Sequence, residues 1–173
     1  MAFERIELNI DVERDDVTEM YERVVSGLCE RGLTVSVAES CTGGLIGKCF
    51  TDISGASATF VGGMITYTNN IKINKLGVSS DTVERFTEVS FECAAEMAER
   101  ARIYFESDIG ISATGFAGPT GGSEKDPVGT VYLGVALADK TQVLCLSFVN
   151  IGRDRIRLGV AREAAGALER LVL

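Results

Sequence analysis

Residues 34–50, TVSVAESCTGGLIGKCF, decide the fold. Thr34 to Ala38 is rich in β-branched residues and predicts a short strand. It runs without a spacer into Glu39-Ser40-Cys41-Thr42-Gly43-Gly44, and Leu45 to Phe50 then reads as helix. A strand opening through glycines into a helix is a building unit of an α/β protein.

Upstream, Val17, Met20, Tyr21, Val24 and Leu28 form one apolar stripe at helical spacing. Asp15 or Asp16 is the expected N-cap and Gly32 the expected stop. Residues 1–14 are expected as an N-terminal arm or edge strand, with Ile6, Leu8 and Ile10 alternating, and residues 15–173 as one domain. Downstream, residues 59–68 predict a strand and 69–76 a helix ending at Gly77. Ser79 or Ser80 is expected to cap a short helix. Ser90 precedes a longer one over 91–106, its buried stripe Phe91, Ala94, Ala95, Ala98, Ala101 and Phe105. Ile109–Ala113 reads as a strand that opens into a glycine-rich loop, TGFAGPTGGSEKDPVG at 114–129. Residues 128–138 and 142–151 read as two strands joined by Asp139-Lys140-Thr141, which predicts an antiparallel hairpin. The last helix is expected from near Asp154, with Ile156, Val160, Ala164, Leu168 and Leu171 on its apolar face. Strands separated by helices, followed by a hairpin, imply a three-layer α/β/α fold with a mixed sheet of about five to six strands.

The composition narrows the chemistry. The chain has 173 residues, 46% of them hydrophobic and 24% charged, enough for one domain with a sizeable core. It contains no histidine, so a Ser-His-Asp triad, a Cys-His dyad and a histidine-based metal site are excluded within one chain. Proton chemistry must then run on Lys, Tyr, Glu or Asp. The net charge of −8 argues against nucleic-acid and anionic-membrane surfaces. No apolar run approaches the ~18–20 residues of a membrane span, and the acidic N-terminus does not read as a signal or transit peptide. Five cysteines without a CxxC pattern suggest a reducing, cytoplasmic setting.

Three stretches carry candidate chemistry. In 39–44, hydroxyls and a thiol sit at a helix N-terminus, where backbone N–H groups favour an anion. The plain alternative is that Ser40 or Thr42 caps the helix and Gly43-Gly44 serve a tight turn. Neither a Walker A loop nor a GxSxG elbow is present. Gly115, Gly118, Gly121 and Gly122 make the 114–129 loop a candidate phosphate or carboxylate cradle. Lys72, in Tyr67-Thr68-Asn69-Asn70-Ile71-Lys72, is a candidate general base if burial lowers its pKa, and a solvated surface lysine otherwise. Arg153, heading the last helix, suits an anion or a surface ion pair. Cys41 is a candidate nucleophile, though no histidine is available to activate it.

VAESCTGGLIGKCFTDISGAS, FVGGMITYTNNIKINKLGV, ISATGFAGPTGG and DPVGTVY, in that order, resemble the CinA C-terminal domain family from about residue 18 onward. Stand-alone members of that family are nicotinamide-nucleotide amidases of the PncC type. At 173 residues the chain is expected to lack the extra nucleotide-hydrolysing domain of two-domain members. The resemblance implies hydrolysis of nicotinamide mononucleotide to nicotinic acid mononucleotide and ammonia in pyridine-nucleotide salvage, without metal or cofactor. It implies Ser40 as the active-site serine, with Tyr67 and Lys72 as its partners. Thr114, the loop glycines and Arg153 would bind substrate, and Thr42, Gly43 and Gly44 would supply oxyanion donors. It also implies a homodimer. This chain reads Thr87-Glu88-Val89-Ser90 where relatives usually read GAVS, and GRD at 152–154 where GDRD is common. The alternative implied by the same family is a non-catalytic nucleotide sensor of the competence-damage-inducible type.

Overall fold

A computed structural model describes residues 2–8, 14–149 and 151–171, with side chains over 16–149 and 151–170. The elements are β1 (Ala2–Leu8), α1 (Arg14–Arg31), β2 (Val35–Glu39), α2 (Leu45–Thr51), β3 (Phe60–Ile65) and α3 (Asn69–Ile71). A π-helical turn (Lys72–Leu76) continues α3. Then come α4 (Ser80–Phe86), α5 (Phe91–Tyr104), β4 (Ile109–Gly115), β5 (Thr130–Ala136), β6 (Thr141–Phe148) and α6 (Arg153–Leu171).

The six strands form one mixed sheet in the order β1-β6-β5-β4-β2-β3. Pairings are parallel for β1 with β6, β4 with β2 and β2 with β3, and antiparallel on both sides of β5. β5 therefore runs against the other five strands. The expected hairpin is β5–β6, with Val135 opposite Gln142. Residues 2–8 are an edge strand of the sheet rather than a separate arm. Ile10 lies outside the described residues.

Period-two alternation sorts each strand between two cores. Val35, Val37, Ile109, Ile111, Val131 and Leu133 pack with α1, α2 and α6. There Phe50 stacks on Phe60 and meets Tyr21 edge-on, at centroid distances of 5.0 and 4.9 Å. On the opposite face Ala38, Tyr132, Val143 and Cys145 meet α5 and the π turn. α5 lies close to the sheet because its buried face is largely alanine and the strands offer glycine. A Cβ on Gly110 would sit 2.0 Å from the Ala98 carbonyl oxygen, and one on Gly134 2.6 Å from that of Ala94. The buried stripe of α5 gains Cys93 and Met97 over the expected set. Phe91 and Phe105 are only half-buried.

Several boundaries differ from expectation for local reasons. Asp15 and Asp16 lie inside the first turn of α1 rather than capping it. Gly32 ends α1 as expected: its φ is +62°, and Leu33 N–H reaches back to the Leu28 carbonyl. Ser90 caps α5 by accepting from Cys93 N–H at 3.1 Å. β3 stops at Ile65, because the Thr66 carbonyl turns to accept from Lys72 Nζ. The expected helix over 69–76 is one turn of α-helix, with Thr68 accepting from Ile71 N–H, followed by the π turn.

Candidate active site

Ser40, Lys72 and Gly115 follow, or end, three adjacent parallel strands at their C-terminal edge. The chain leaves β2 toward α2 on one face and leaves β3 toward α3 on the other. Such a divergence opens a crevice at strand C-termini. The β4–β5 loop and the start of α6 close the same edge.

The alternation of β2 continues through the two residues at its end. Glu39 goes to the α2 face. Its carboxylate accepts from the backbone N–H groups of Gly44 (3.0 Å), Ile46 (3.1 Å) and Gly47 (2.8 Å). Ser40 goes to the α5 face, where its Oγ accepts from Lys72 Nζ at 3.0 Å. Lys72 Nζ also donates to the Thr66 carbonyl at 2.9 Å. The lysine backbone is pinned at both ends: its N–H meets the Thr68 carbonyl, and its own carbonyl accepts from Gly77 and Val78.

Lys72 is 1% exposed. Burial holds its amine below the ordinary lysine pKa, opposed by the Cys93 thiol, the Glu88 carboxylate and the Cys41 thiol. A buried amine with a lowered pKa beside a hydroxyl is a general base in waiting. Cys41 lines the same cavity, but burial pushes its thiol up to about 12, so it stays protonated. That leaves the hydroxyl of Ser40 as the nucleophile available at this junction.

The cavity measures about 260 Å³, a size for one small ligand. Of the residues expected to act here, Ser40, Lys72, Tyr67, Gly115, Gly118 and Arg153 line it. Tyr67 is 60% exposed, and the Ser40–Lys72–Thr66 chain closes without it. Arg153 is half committed: one guanidinium nitrogen donates to the Gly118 carbonyl at 2.7 Å.

The other expected residues stand apart from the cavity. Neither Ser40 nor Thr42 caps α2; Gly44 occupies the cap position at φ +95° without a side-chain cap. Gly43 N–H bonds the Ser40 carbonyl and Gly44 N–H bonds Glu39, so neither amide is available to an oxyanion. Thr42 is buried, and its carbonyl accepts two bonds from Arg157, at 3.1 and 2.6 Å. Thr114 donates to the Glu88 carbonyl at 2.7 Å and fixes the neighbouring turn instead of facing a ligand. Gly121 packs toward the Phe116 ring, and Gly122 toward the backbone of 126–128, so both shape the loop from behind.

Sequence reasoning missed Asn69 and Glu88 on the cavity wall, and Arg157 behind it, whereas Thr120 belongs to the glycine-rich loop already expected at the ligand. Arg157 had a readable signal. It lies four residues after Arg153, hence on the same side of α6, and the two arginines clamp the two loops that flank Ser40.

Among the described residues no helix is long and apolar enough to cross a membrane, and no cluster of potential metal ligands occurs.

The family model for the CinA C-terminal domain matches residues 17–172. A CinA-like protein of Geotalea daltonii is 44% identical over 156 residues, which are 90% of this chain and 38% of that protein. A CinA-like protein of Fervidobacterium nodosum is 50% identical over 120 residues, 69% of this chain and 29% of that one. The chain thus spans about a third of the length of these curated relatives. The crystal structure of the competence/damage inducible protein CihA from Agrobacterium tumefaciens superposes with a TM-score of 0.90 at 37% identity, covering 95% of this chain and all of that one. The chain belongs to the CinA C-terminal domain family.

Proposed function

We propose that the chain is an amidohydrolase that converts nicotinamide mononucleotide to nicotinic acid mononucleotide and ammonia by Ser–Lys catalysis. One observation carries the reading: a buried amine 3.0 Å from a serine hydroxyl, at the edge of a ligand-sized cavity that also holds an arginine. Ser40 Oγ adds to the carboxamide carbon while Lys72 Nζ takes the hydroxyl proton. The tetrahedral adduct collapses as Lys72 returns that proton to the leaving nitrogen, which departs as ammonia. Water then cleaves the acyl-enzyme ester, again with Lys72 as base, and frees the carboxylate. Arg153 meets the 5′-phosphate, and Tyr67, on the exposed wall of the cavity, flanks the ring. Of the amides in this loop, that of Cys41, which lines the cavity, is the candidate oxyanion donor, since those of Gly43 and Gly44 are already engaged. Donors of this kind are typically worth about 3–4 kcal/mol each.

In this reading the enzyme works in the cytoplasm in pyridine-nucleotide salvage, needs no metal or cofactor, and binds neither nucleic acid nor membrane. A homodimer has a candidate face on the edge strand β3, where Val61 and Ile65 are exposed.

A coupled ammonia assay with nicotinamide mononucleotide tests the reading. The expected result is turnover that disappears in Ser40→Ala, with an acyl adduct on Ser40 seen by intact mass after rapid quench. Turnover in that variant would remove the serine from the chemistry and leave a lysine-activated water. The engagement of the Gly43 and Gly44 amides favours a second reading, a sensor that binds the nucleotide without cleaving it. Ligand-induced thermal stabilisation with no ammonia release would select that one.

A further inference from the structure

We propose that Glu88 is a specificity-determining residue of this site, selecting a ligand whose amide-bearing ring is positively charged. The proposal deepens the amidase reading and rests on it.

Three charged side chains line the cavity: Lys72, Arg153 and Glu88. Lys72 is buried and engaged with Ser40 and Thr66. Arg153 stands on the wall made by α6 and the β4–β5 loop, with guanidinium N–H groups left for an anion beyond its bond to Gly118. Glu88 stands on a different wall, the turn between α4 and α5, and is the one carboxylate among the lining residues. It is half-buried, so a ligand charge beside it is screened less than in open water. A cavity with a cation on one wall and a carboxylate on another is complementary to a zwitterion. A phosphate joined through ribose to a pyridinium ring is such a ligand.

The turn that presents Glu88 is unusually constrained. Thr87 has φ +72°, a conformation that normally falls to glycine. Each of three consecutive carbonyls accepts a side-chain hydroxyl: Thr87 from Ser90 at 2.9 Å, Glu88 from Thr114 at 2.7 Å and Val89 from Thr87 at 3.1 Å. Thr114 sits on the central strand β4, so the turn is tied to the sheet that also carries Ser40. Strained backbone held this firmly is characteristic of functional sites. A carboxylate on so fixed a turn is presented to a ligand at little ordering cost.

The test compares nicotinamide mononucleotide with benzamide riboside 5′-phosphate, in which carbon replaces the charged ring nitrogen. Kd for each ligand is measured by isothermal titration calorimetry on wild type, Glu88→Gln and Glu88→Asp, alongside ammonia release and with melting temperatures as folding controls. Wild type is expected to favour the cationic ring about tenfold or more, a preference worth about 1.4 kcal/mol. Glu88→Gln is expected to abolish the preference by weakening the cationic ligand alone, and Glu88→Asp to keep part of it. Equal weakening of both ligands, or no change in the ratio, overturns the proposal. The two readings fail separately. Hydrolysis by wild type with an unchanged ratio in Glu88→Gln removes only the role of Glu88. Charge-selective binding without ammonia release removes only the amidase.

Discussion

Glu39 and Ser40 are consecutive, yet they serve opposite ends. Glu39 faces α2 in a closed network: three backbone N–H groups meet its two carboxylate oxygens, and the side chain is buried. Ser40 faces α5 in an open one: its hydroxyl holds one lysine hydrogen bond and borders a cavity. The difference teaches that a glycine-rich strand-to-helix loop need not offer its helix N-terminus to a ligand. Here the protein's own carboxylate occupies that position, where the helix end favours negative charge. The reactive group is displaced to the opposite face of the sheet by one step of the strand period.

The contrast breaks most sharply in activity. Lys72→Met should lower ammonia release from nicotinamide mononucleotide by a thousandfold or more on the order expected for losing a base paired to its nucleophile, while circular dichroism stays native. Residual turnover within tenfold of wild type would mean that the open network is not the catalytic one. Glu39→Ala should act instead on stability. It strands the buried Ile46 N–H and the half-buried N–H groups of Gly44 and Gly47, at ~1–3 kcal/mol for a fully buried group left unsatisfied, so urea denaturation should show a loss of roughly 2 kcal/mol or more. Full stability with lost activity would reverse the assignment of the two residues.

The pH dependence of stability sharpens the comparison further. Lys72 is held below its ordinary value of 10.5 in the folded chain. Between the folded value and 10.5 the unfolded chain binds a proton that the folded chain does not, so folding stability rises with pH across that window. Lys72→Met lacks this term. The stability of wild type relative to Lys72→Met should therefore climb toward alkaline pH and level off above 10.5, and parallel curves would deny the burial effect. Activity should likewise rise toward alkaline pH, with a limb below that value. The smallest effect is expected at Cys41. With its thiol pushed up to about 12, Cys41→Ala should keep ammonia release within about threefold of wild type, and iodoacetamide should not inhibit it.

What was legible in the sequence followed local rules. The α1 stripe, the β5–β6 hairpin and the Gly32 stop are local patterns, and they appear where spacing placed them. The Ser40–Lys72 pair came from the resemblance together with the chemistry left once histidine is absent. The errors concern side chains whose partners come from distant elements. Thr114 reads as a site residue until Glu88, 26 positions earlier, takes its hydroxyl. Thr42 reads the same way until Arg157, 115 positions later, takes its carbonyl. The engagement of Gly44 by Glu39 had a readable cue, since period two already sends Glu39 and Ser40 to opposite faces. The Glu88 wall had one too: it lies where this sequence departs from the GAVS of the family it resembles.

The π turn at Lys72–Leu76 has a consequence for how this protein tolerates change. It holds one more residue in its hydrogen-bonded ring than an α turn would. Lys72 and Leu76 are its two buried side chains. A single-residue deletion would close it to α geometry, and because the wider ring is what absorbs the extra residue, the chain after it would keep its direction. Val78, whose N–H meets the Lys72 carbonyl, would keep its place against α5. The turn is thus fixed in kind at Lys72 and Leu76 and elastic in length between them, so an indel scan should find one residue dispensable at the exposed Asn74–Lys75 pair.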